Sequence, residues 1–273
     1  MWRSTTQWIG GLYFLFSIIF LIDIYDESLK RSLTNFISLN NSEIIKQTIK
    51  VFILYSLLTF LIFVILELIG LRTFNSVNLS LTLISSGGFL PFNDISIILN
   101  TDFKKIVFSI LMLISFFSIF FIYNLILFRN RDKNFFYEDY NLLLYVVTLI
   151  LVFLFFFGYN NNFINIVFSI FSSISNIGIS LNSEFTNLHF IFLILVIIGG
   201  SFFSTSSGLR FIKIYSLIIF SLNQILSFSK PRNIFMNRLL FSKTNFKINE
   251  INKYFLSIII FIISLFVLTS LIT

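Results

Sequence analysis

Six stretches of apolar residues, most of them close to the ~20 residues that a helix needs to cross a bilayer, are the strongest constraint on the fold of this chain. They are Trp8–Ile24, Val51–Gly70, Ile106–Phe128, Leu142–Gly158, Phe190–Leu226 with a polar interruption, and Tyr254–Ile272. Hydrophobic residues make up 57% of the chain and charged residues only 11%, whereas about 25% of an average soluble domain is charged. The sequence therefore predicts an all-α integral membrane protein with about six crossings, and it excludes a soluble enzyme.

The composition also excludes several kinds of site. The chain contains no Cys and a single His, so it has no disulfide, thiolate metal site or thiol nucleophile, and no cluster of metal ligands is expected. The net charge of +7 comes from residues between the apolar runs, where membrane orientation explains it without a nucleic acid partner. No nucleotide-binding glycine motif, carboxylate pair or Ser/His arrangement stands out, so we expect neither catalytic residues nor a cofactor.

Lys and Arg residues predict the orientation of the chain in the membrane. Thirteen of them lie in connections that are separated by even numbers of crossings: Lys30, Arg31, Lys46, Lys50, Arg129, Arg131, Lys133, Lys230, Arg232, Arg238, Lys243, Lys247 and Lys253. The opposite side has only Arg3, Arg72, Lys104 and Lys105. The positive-inside rule places the larger group in the cytoplasm, which predicts a multi-pass protein of the cell inner (plasma) membrane with both termini outside.

Two apolar segments that are too short to span the bilayer predict re-entrant half-helices. They are Phe74–Ile84 and Phe163–Ile174, and each precedes a short polar turn. We name these turn A (Ser85-Ser86-Gly87-Gly88-Phe89) and turn B (Ser175-Asn176-Ile177-Gly178-Ile179). Alignment of Gly88 on Gly178 gives an offset of 90 residues that also superimposes the flanking crossings, which indicates an internal repeat. Because each unit has two crossings, successive units are parallel and related by an axis along the membrane normal.

The two turns are the candidate ion-binding segments. Irregular backbone at membrane depth is tolerated where it lines a water-filled cavity, and carbonyl oxygens there replace the hydration shell of a cation. The candidate residues are Ser85, Ser86, Gly87, Gly88, Ser175, Asn176, Ile177 and Gly178, with Gly88 expected to provide the backbone angles that turn A requires. The alternative is an ordinary Ser/Gly loop, and the second copy favours the filter.

The polar interruption of the fifth run is the candidate gate. We expect Gly199, Gly200, Ser204, Thr205 and Gly208 to form an unwound segment below the filter, because glycine costs a helix interior ~1 kcal/mol relative to alanine. Close helix packing through small residues is the alternative.

Five charged or titratable residues near or within the runs remain. Arg210 is expected to be a charge on the pore side that restrains cation flow or anchors the gate, whereas Lys213 fits snorkelling to the interface equally well. Glu67, Asp23 and His189 lie near the ends of their runs and are interpreted as interfacial residues.

Three motifs resemble the membrane subunit of the Trk/Ktr/HKT superfamily of potassium and sodium transporters. Residues Arg3–Gly11 resemble its R-x-x-x-Q-W-x-G-G pattern, turn A is similar to its S-T-G-G-F filter, and Ile198–Lys213 resembles its I-G-G-x-x-G-S-T-G-G-G-x-K segment. Such chains carry four helix–pore-loop–helix units around a pseudo-fourfold pore. The resemblance divides this chain into unit one (1–50, its second helix), unit two (51–141), unit three (142–253) and unit four (254–273, its first helix), so we expect a fragment, a split gene product or a remnant.

The resemblance implies a function and several departures from the family pattern. Gly88 and Gly178 would be filter glycines, and residues 199–208 the gating loop. Turn B replaces the usual T-T-A-G-F, Arg210 stands where Lys is usual, and Tyr13 where Gly is usual. The side chains of Phe203, Ser206 and Ser207 replace loop glycines and are expected to stiffen the gate.

Transport of K⁺, or of K⁺ and Na⁺, is the implied activity, by a homodimer regulated by a TrkA-like cytosolic nucleotide-binding subunit. A secondary transporter for a small solute and a non-conducting truncated subunit are the alternatives.

Overall fold

The computed structural model describes residues 1–25, 41–91, 95–126, 137–157, 163–181, 189–227 and 248–272. Within these ranges the regular structure is helical. The helices are α1 (Trp2–Tyr25), α2 (Asn41–Leu68), α3 (Thr73–Ile84), α4 (Asp102–Phe116), α5 (Ile119–Ile126), α6 (Tyr137–Phe157), α7 (Phe163–Ile174), α8 (His189–Ile198), α9 (Phe211–Ser227) and α10 (Ile248–Ile272), with a 3₁₀ turn at Ile95–Ile97. Helices suit such apolar runs because they satisfy every backbone polar group within the segment.

Within the described residues, three helices are long and apolar enough to cross a membrane. The spans are Thr48–Leu68 in α2, Tyr137–Phe156 in α6 and Glu250–Leu271 in α10. The chain is therefore a multi-pass membrane protein, and the predicted all-α membrane fold is confirmed.

Two of the predicted crossings are each divided between two shorter helices. The fifth run forms α8 and α9, which are separated by non-helical residues 199–210, as its polar interruption predicted. The third run was predicted as one continuous crossing, and that prediction is wrong. It forms α4 and α5 with a break at Phe117–Ser118, where Phe117 is extended (φ −82°, ψ 161°).

The half-helices α3 and α7 are the centres of two equivalent units. Each has 12 residues, and the bounds of α7 are those of α3 displaced by the 90 residues of the predicted repeat. Helix α3 packs against α1, α2 and α4, while α7 packs against α4, α6 and α8. Each half-helix therefore lies between the two helices of its own unit and the second helix of the preceding unit, which is the arrangement expected of parallel repeats.

The same interface is stabilised differently in the two units. In the first, the Ser4 hydroxyl donates a hydrogen bond to Asn78 Oδ1 at 3.0 Å, joining α1 to α3. In the second, the rings of Phe108 and Phe168 stack with centroids 6.0 Å apart, joining α4 to α7. Asn78 and Phe168 differ by the repeat offset, so the backbone arrangement is kept although the chemistry differs.

Several sequence predictions fall outside the described residues. These include most of the basic residues predicted to be cytoplasmic, among them Lys30, Arg129 and Arg232, and the side chains of Asp23 and His189. Their predicted positions stay predictions.

Candidate functional site

Turns A and B have the same backbone form. The second residue of each is left-handed, with φ of 52° at Ser86 and 59° at Asn176. The first residue of each ties the turn to the end of its half-helix, because the Ser85 hydroxyl donates to the Leu81 carbonyl at 2.8 Å and the Ser175 hydroxyl donates to the Phe171 carbonyl at 2.6 Å. The repeat thus extends from the half-helices into both candidate ion-binding turns.

The two turns lie side by side. A Cβ atom added to Gly88 would be 2.6 Å from the carbonyl oxygen of Ile177, closer than real Cβ contacts. Gly88 and Gly178 are both exposed, so the place where the two turns meet is accessible from one side. The φ of Gly88 is not left-handed, whereas Gly178 has φ of +72°, and the close approach of the Ile177 carbonyl leaves no room for a side chain at Gly88. The expected conformational role of Gly88 stays a prediction.

Helix α1 supports turn A from the side. The Gln7 side chain lies against Gly87 so closely that a Cβ there would overlap it. At Gly11, a Cβ would be 3.1 Å from the Cβ of Ser85. The R-x-x-x-Q-W-x-G-G pattern therefore provides the surface on which turn A rests.

Residues 199–210, which we name the Gly/Ser loop, connect α8 to α9 in a loop whose two ends lie close together. Its ends meet where the backbones of Gly199 and Gly208 touch, and a Cβ on Gly208 would lie 2.8 Å from Gly199 Cα. The Leu209 amide donates to the Ile197 carbonyl at 2.9 Å and the Phe211 amide donates to the Gly200 carbonyl at 3.2 Å. The end of α8 and the start of α9 are therefore held next to each other at the base of the loop.

Arg210 holds the loop together from inside. Its side chain is buried, and Nη1 donates to the carbonyl oxygens of Ser206 at 2.8 Å and Ser201 at 3.0 Å and to the Ser204 hydroxyl at 3.2 Å. The guanidinium also lies over the ring of Phe14 in α1, at 5.2 Å from its centroid. Of the two roles expected for Arg210, the contacts fit the anchor.

The loop fills the break between α4 and α5. The amides of Ser201 and Ser206 donate to the carbonyls of Phe116 at 3.0 Å and Ser115 at 3.1 Å. The Ile119 amide donates to the Phe203 carbonyl at 3.2 Å. A helix end leaves backbone groups without partners, and here the loop provides them.

The loop also contacts both turns. The Thr205 hydroxyl donates to the Ile84 carbonyl at 2.7 Å and lies 3.3 Å from the Ser86 hydroxyl, at turn A. The Asn176 side-chain amide of turn B donates to the Ser207 hydroxyl at 2.9 Å. The candidate filter and the candidate gate are therefore one hydrogen-bonded unit.

The residues that replace family glycines in the loop each make a side-chain contact. Phe203 is buried with its ring 5.3 Å from that of Phe120 in α5, and the Ser206 hydroxyl lies 2.9 Å from the Ser204 hydroxyl. Ser207 is the acceptor for Asn176. The expected stiffening of the gate stays a prediction. Tyr13, the departure in α1, is exposed and contacts neither the turns nor the loop among the interactions of the described residues.

Sequence reasoning missed two carboxylates beside the loop. Glu138 and Asp139 follow one another in the first turn of α6. Glu138 accepts a hydrogen bond from the Phe202 amide at 2.9 Å, and Asp139 accepts one from the Ser118 amide at 2.9 Å. Their signal in the sequence is weak, since acidic residues are common in the first turn of a helix.

A cavity of about 490 Å³ lies between the loop, α1, α9 and α10. Its walls include Phe14, Arg210, Lys213, Ser257 and Phe261, and none of the described residues that line it is acidic. Lys213 is thus on the cavity wall one turn beyond Arg210. Glu67, by contrast, is half-buried in α2 and makes no contact with the turns among the described interactions. No group of three His, Cys, Asp or Glu that would hold a metal ion occurs within the described part of the chain.

Together these features define a membrane protein of parallel helix, half-helix, turn, helix units, with adjacent turns and a loop bound to both. The sequence matches no protein-family model and no curated protein. The structure is similar to the crystal structure of the potassium transporter TrkH from Vibrio parahaemolyticus, with a TM-score of 0.69 and 18% sequence identity over 92% of this chain. The chain has a TrkH-like fold, as the motifs predicted, and spans about half of that protein's length (54%).

Proposed function

We propose that this chain forms part of a transmembrane path for K⁺, or for K⁺ and Na⁺, with turns A and B as two walls of its filter. The observation that carries the proposal is the approach of Gly88 to the Ile177 carbonyl, which brings the two turns together at the ends of parallel half-helices. Backbone carbonyls in such turns replace the hydration shell of a cation. The TrkH-like fold and the name of that potassium transporter support the same class of function.

The Gly/Ser loop is the gate in this proposal. In the described conformation it is bonded to both turns, and the cavity next to it is lined by the cationic side chains of Arg210 and Lys213. A cation that passes the turns would meet this loop and these charges. Movement of the loop would open the path, and the membrane potential would drive the ion inward with ~2.3 kcal/mol per charge per 100 mV.

The partners are proposed on the resemblance alone. We propose a homodimer in the inner (plasma) membrane, with a TrkA-like nucleotide-binding subunit that contacts the basic cytoplasmic connections. Co-purification of the natural gene product with such a subunit from the same cells tests this arrangement.

Rubidium uptake tests the transport proposal. Cells that lack their own K⁺ uptake systems would express the natural gene product that contains this chain, as parent, Gly88→Ala or Gly10→Ala. A Cβ at Gly88 would overlap the Ile177 carbonyl, whereas nothing lies within 4 Å of a Cβ at Gly10. We expect the parent and Gly10→Ala to restore uptake and growth at low K⁺, and Gly88→Ala to reduce the uptake rate roughly tenfold, the effect of ~1.4 kcal/mol on the barrier.

Other outcomes contradict the proposal in identifiable ways. Equal uptake by Gly88→Ala and Gly10→Ala would remove the filter assignment. Uptake of a small organic solute, coupled to a second ion and without Rb⁺ flux, would favour a secondary transporter. Absence of any flux from a correctly inserted protein would favour the non-conducting subunit.

A further inference from the structure

Two carboxylates on α6 contact the loop and the helix break, and the proposed transport function does not use either. Glu138 is half-buried and Asp139 is buried with 3% of its surface exposed. Each accepts its hydrogen bond from a backbone amide of a different element: Glu138 from Phe202 in the Gly/Ser loop, and Asp139 from Ser118 in the break between α4 and α5. Glu138 and Asp139, which follow one another in α6, thus bind the Gly/Ser loop and the helix break, and these two segments pack against each other.

Asp139 stabilises the shape of the break. The Ser118 hydroxyl accepts a hydrogen bond from the Phe121 amide at 3.1 Å, so Ser118 caps the N-terminus of α5. The backbone amide of Ser118 donates a hydrogen bond to the Asp139 side chain. The Ile119 amide donates to the Phe203 carbonyl, so the amides of Ser118 and Ile119 have these partners only when both Asp139 and the loop are in place.

Glu138 acts on the loop itself. Phe202 lies between Ser201, whose amide binds the Phe116 carbonyl, and Phe203, whose carbonyl accepts from Ile119. The carboxyl group of Glu138 therefore binds the middle of the loop segment that fills the break between α4 and α5.

We propose that Glu138 is a latch that holds the Gly/Ser loop in the closed position through the Phe202 amide, and that Asp139 is the positioning residue that shapes its docking surface. This inference rests on the proposed gate. A latch differs from a merely structural residue in one respect: its loss frees the loop and raises cation flux, whereas general damage to the fold lowers flux.

The absence of Cys from the chain allows a direct test of loop position. Ser206 is fully buried in the loop, so the full-length Ser206→Cys variant reports loop opening by its rate of reaction with a water-soluble methanethiosulfonate reagent. We expect Glu138→Ala in this background to raise the modification rate roughly tenfold or more, the shift produced when the Phe202 amide loses its hydrogen-bond acceptor. Glu138→Gln keeps an acceptor oxygen and is expected to restore most of the protection.

Asp102→Ala is the matched control. Asp102 is also acidic and in the first turn of its helix, but it is exposed and bonds only Lys105 among the described contacts, so modification is expected to stay at the parent rate. Glu138→Asp provides a milder variant for the case in which Glu138→Ala does not fold, because it keeps the carboxyl group and shortens the reach.

The outcomes separate the latch from the transport function. Raised modification together with raised Rb⁺ uptake supports the latch. Parent-like modification in folded Glu138→Ala, or in Glu138→Asp where only that variant folds, overturns it, and so does raised modification with lowered uptake. If the parent conducts no cation, the transport proposal fails, and the modification rates alone decide whether Glu138 holds the loop.

Discussion

Arg210 combines an unfavourable backbone with favourable side-chain contacts. Its φ of 73° lies in the left-handed region, which costs a non-glycine residue about 1–2 kcal/mol. The side chain offsets this cost by donating to two loop carbonyls and one hydroxyl in a buried setting. The left-handed turn directs the guanidinium back into the loop, so the strain and the hydrogen bonds belong to one arrangement.

Replacement of Arg210 tests this account. Arg210→Met keeps the length but removes the guanidinium donor from the Ser206 carbonyl and from the Ser201 carbonyl, which keeps the Ser204 hydroxyl as a donor. We expect a loss of about 3 kcal/mol and a Tm lower by roughly 6–12 °C in detergent. Arg210→Lys keeps one donor group, so its Tm is expected to lie between those of the parent and of Arg210→Met. Arg3→Met is the control, since Arg3 is exposed and lies over Phe89 at 5.6 Å. Equal Tm shifts for Arg3→Met and Arg210→Met would contradict the anchor.

The sequence identified some of these residues and not others for a physical reason. Arg210 was recognisable because a charge within an apolar run is costly and needs a role. Glu138 and Asp139 stand just before an apolar run, where acidic residues are usual and unremarkable. What makes them special is the position of Phe202 and Ser118, which are distant in sequence, and no local pattern reports such contacts.

At the scale of helices, the half-helices were predictable and the broken crossing was not. Helices α3 and α7 are short apolar segments followed by Ser/Gly turns, and the repetition after 90 residues reinforced the signal. The break at Phe117–Ser118 carries neither Gly nor Pro. It exists because the Gly/Ser loop and Asp139 provide partners for the freed backbone groups, which is a tertiary effect. The functional assignment of the turns and of the loop stays a prediction.

The packing of α7 gives a prediction at this scale. Phe168 is fully buried and stacks on Phe108 of the preceding unit, whereas Phe163 at the start of the same helix is 52% exposed. Phe168→Ala is expected to cost about 3–5 kcal/mol through the cavity it leaves, and Phe163→Ala less than about 1 kcal/mol. Thermal unfolding of both variants in detergent measures the difference. Similar Tm values for the two variants would show that α7 is not seated between the units as described.

For the whole molecule, the arrangement of parallel units fixes which side of the membrane each turn faces. Both half-helices belong to connections on the side with few basic residues, and both turns follow them directly. With two crossings a unit, the connections rich in Lys and Arg all fall on the opposite side. The positive-inside rule predicts that this side is cytoplasmic, and the turns would then face the entry side for an ion driven inward.

Single cysteines in the naturally Cys-free chain test this orientation. Asn100→Cys lies at an exposed position in the connection after turn A, and Lys230→Cys lies in the most basic connection. We expect a membrane-impermeant maleimide to label Asn100→Cys in intact cells and Lys230→Cys only after permeabilisation. Labelling of both sites in intact cells would contradict the three crossings predicted between them, and the reversed pattern would invert the path. Because the membrane potential drives cations toward the cytoplasm, the inverted orientation would place the Gly/Ser loop ahead of the turns for an entering ion, and the proposed order of filter and gate would then be wrong.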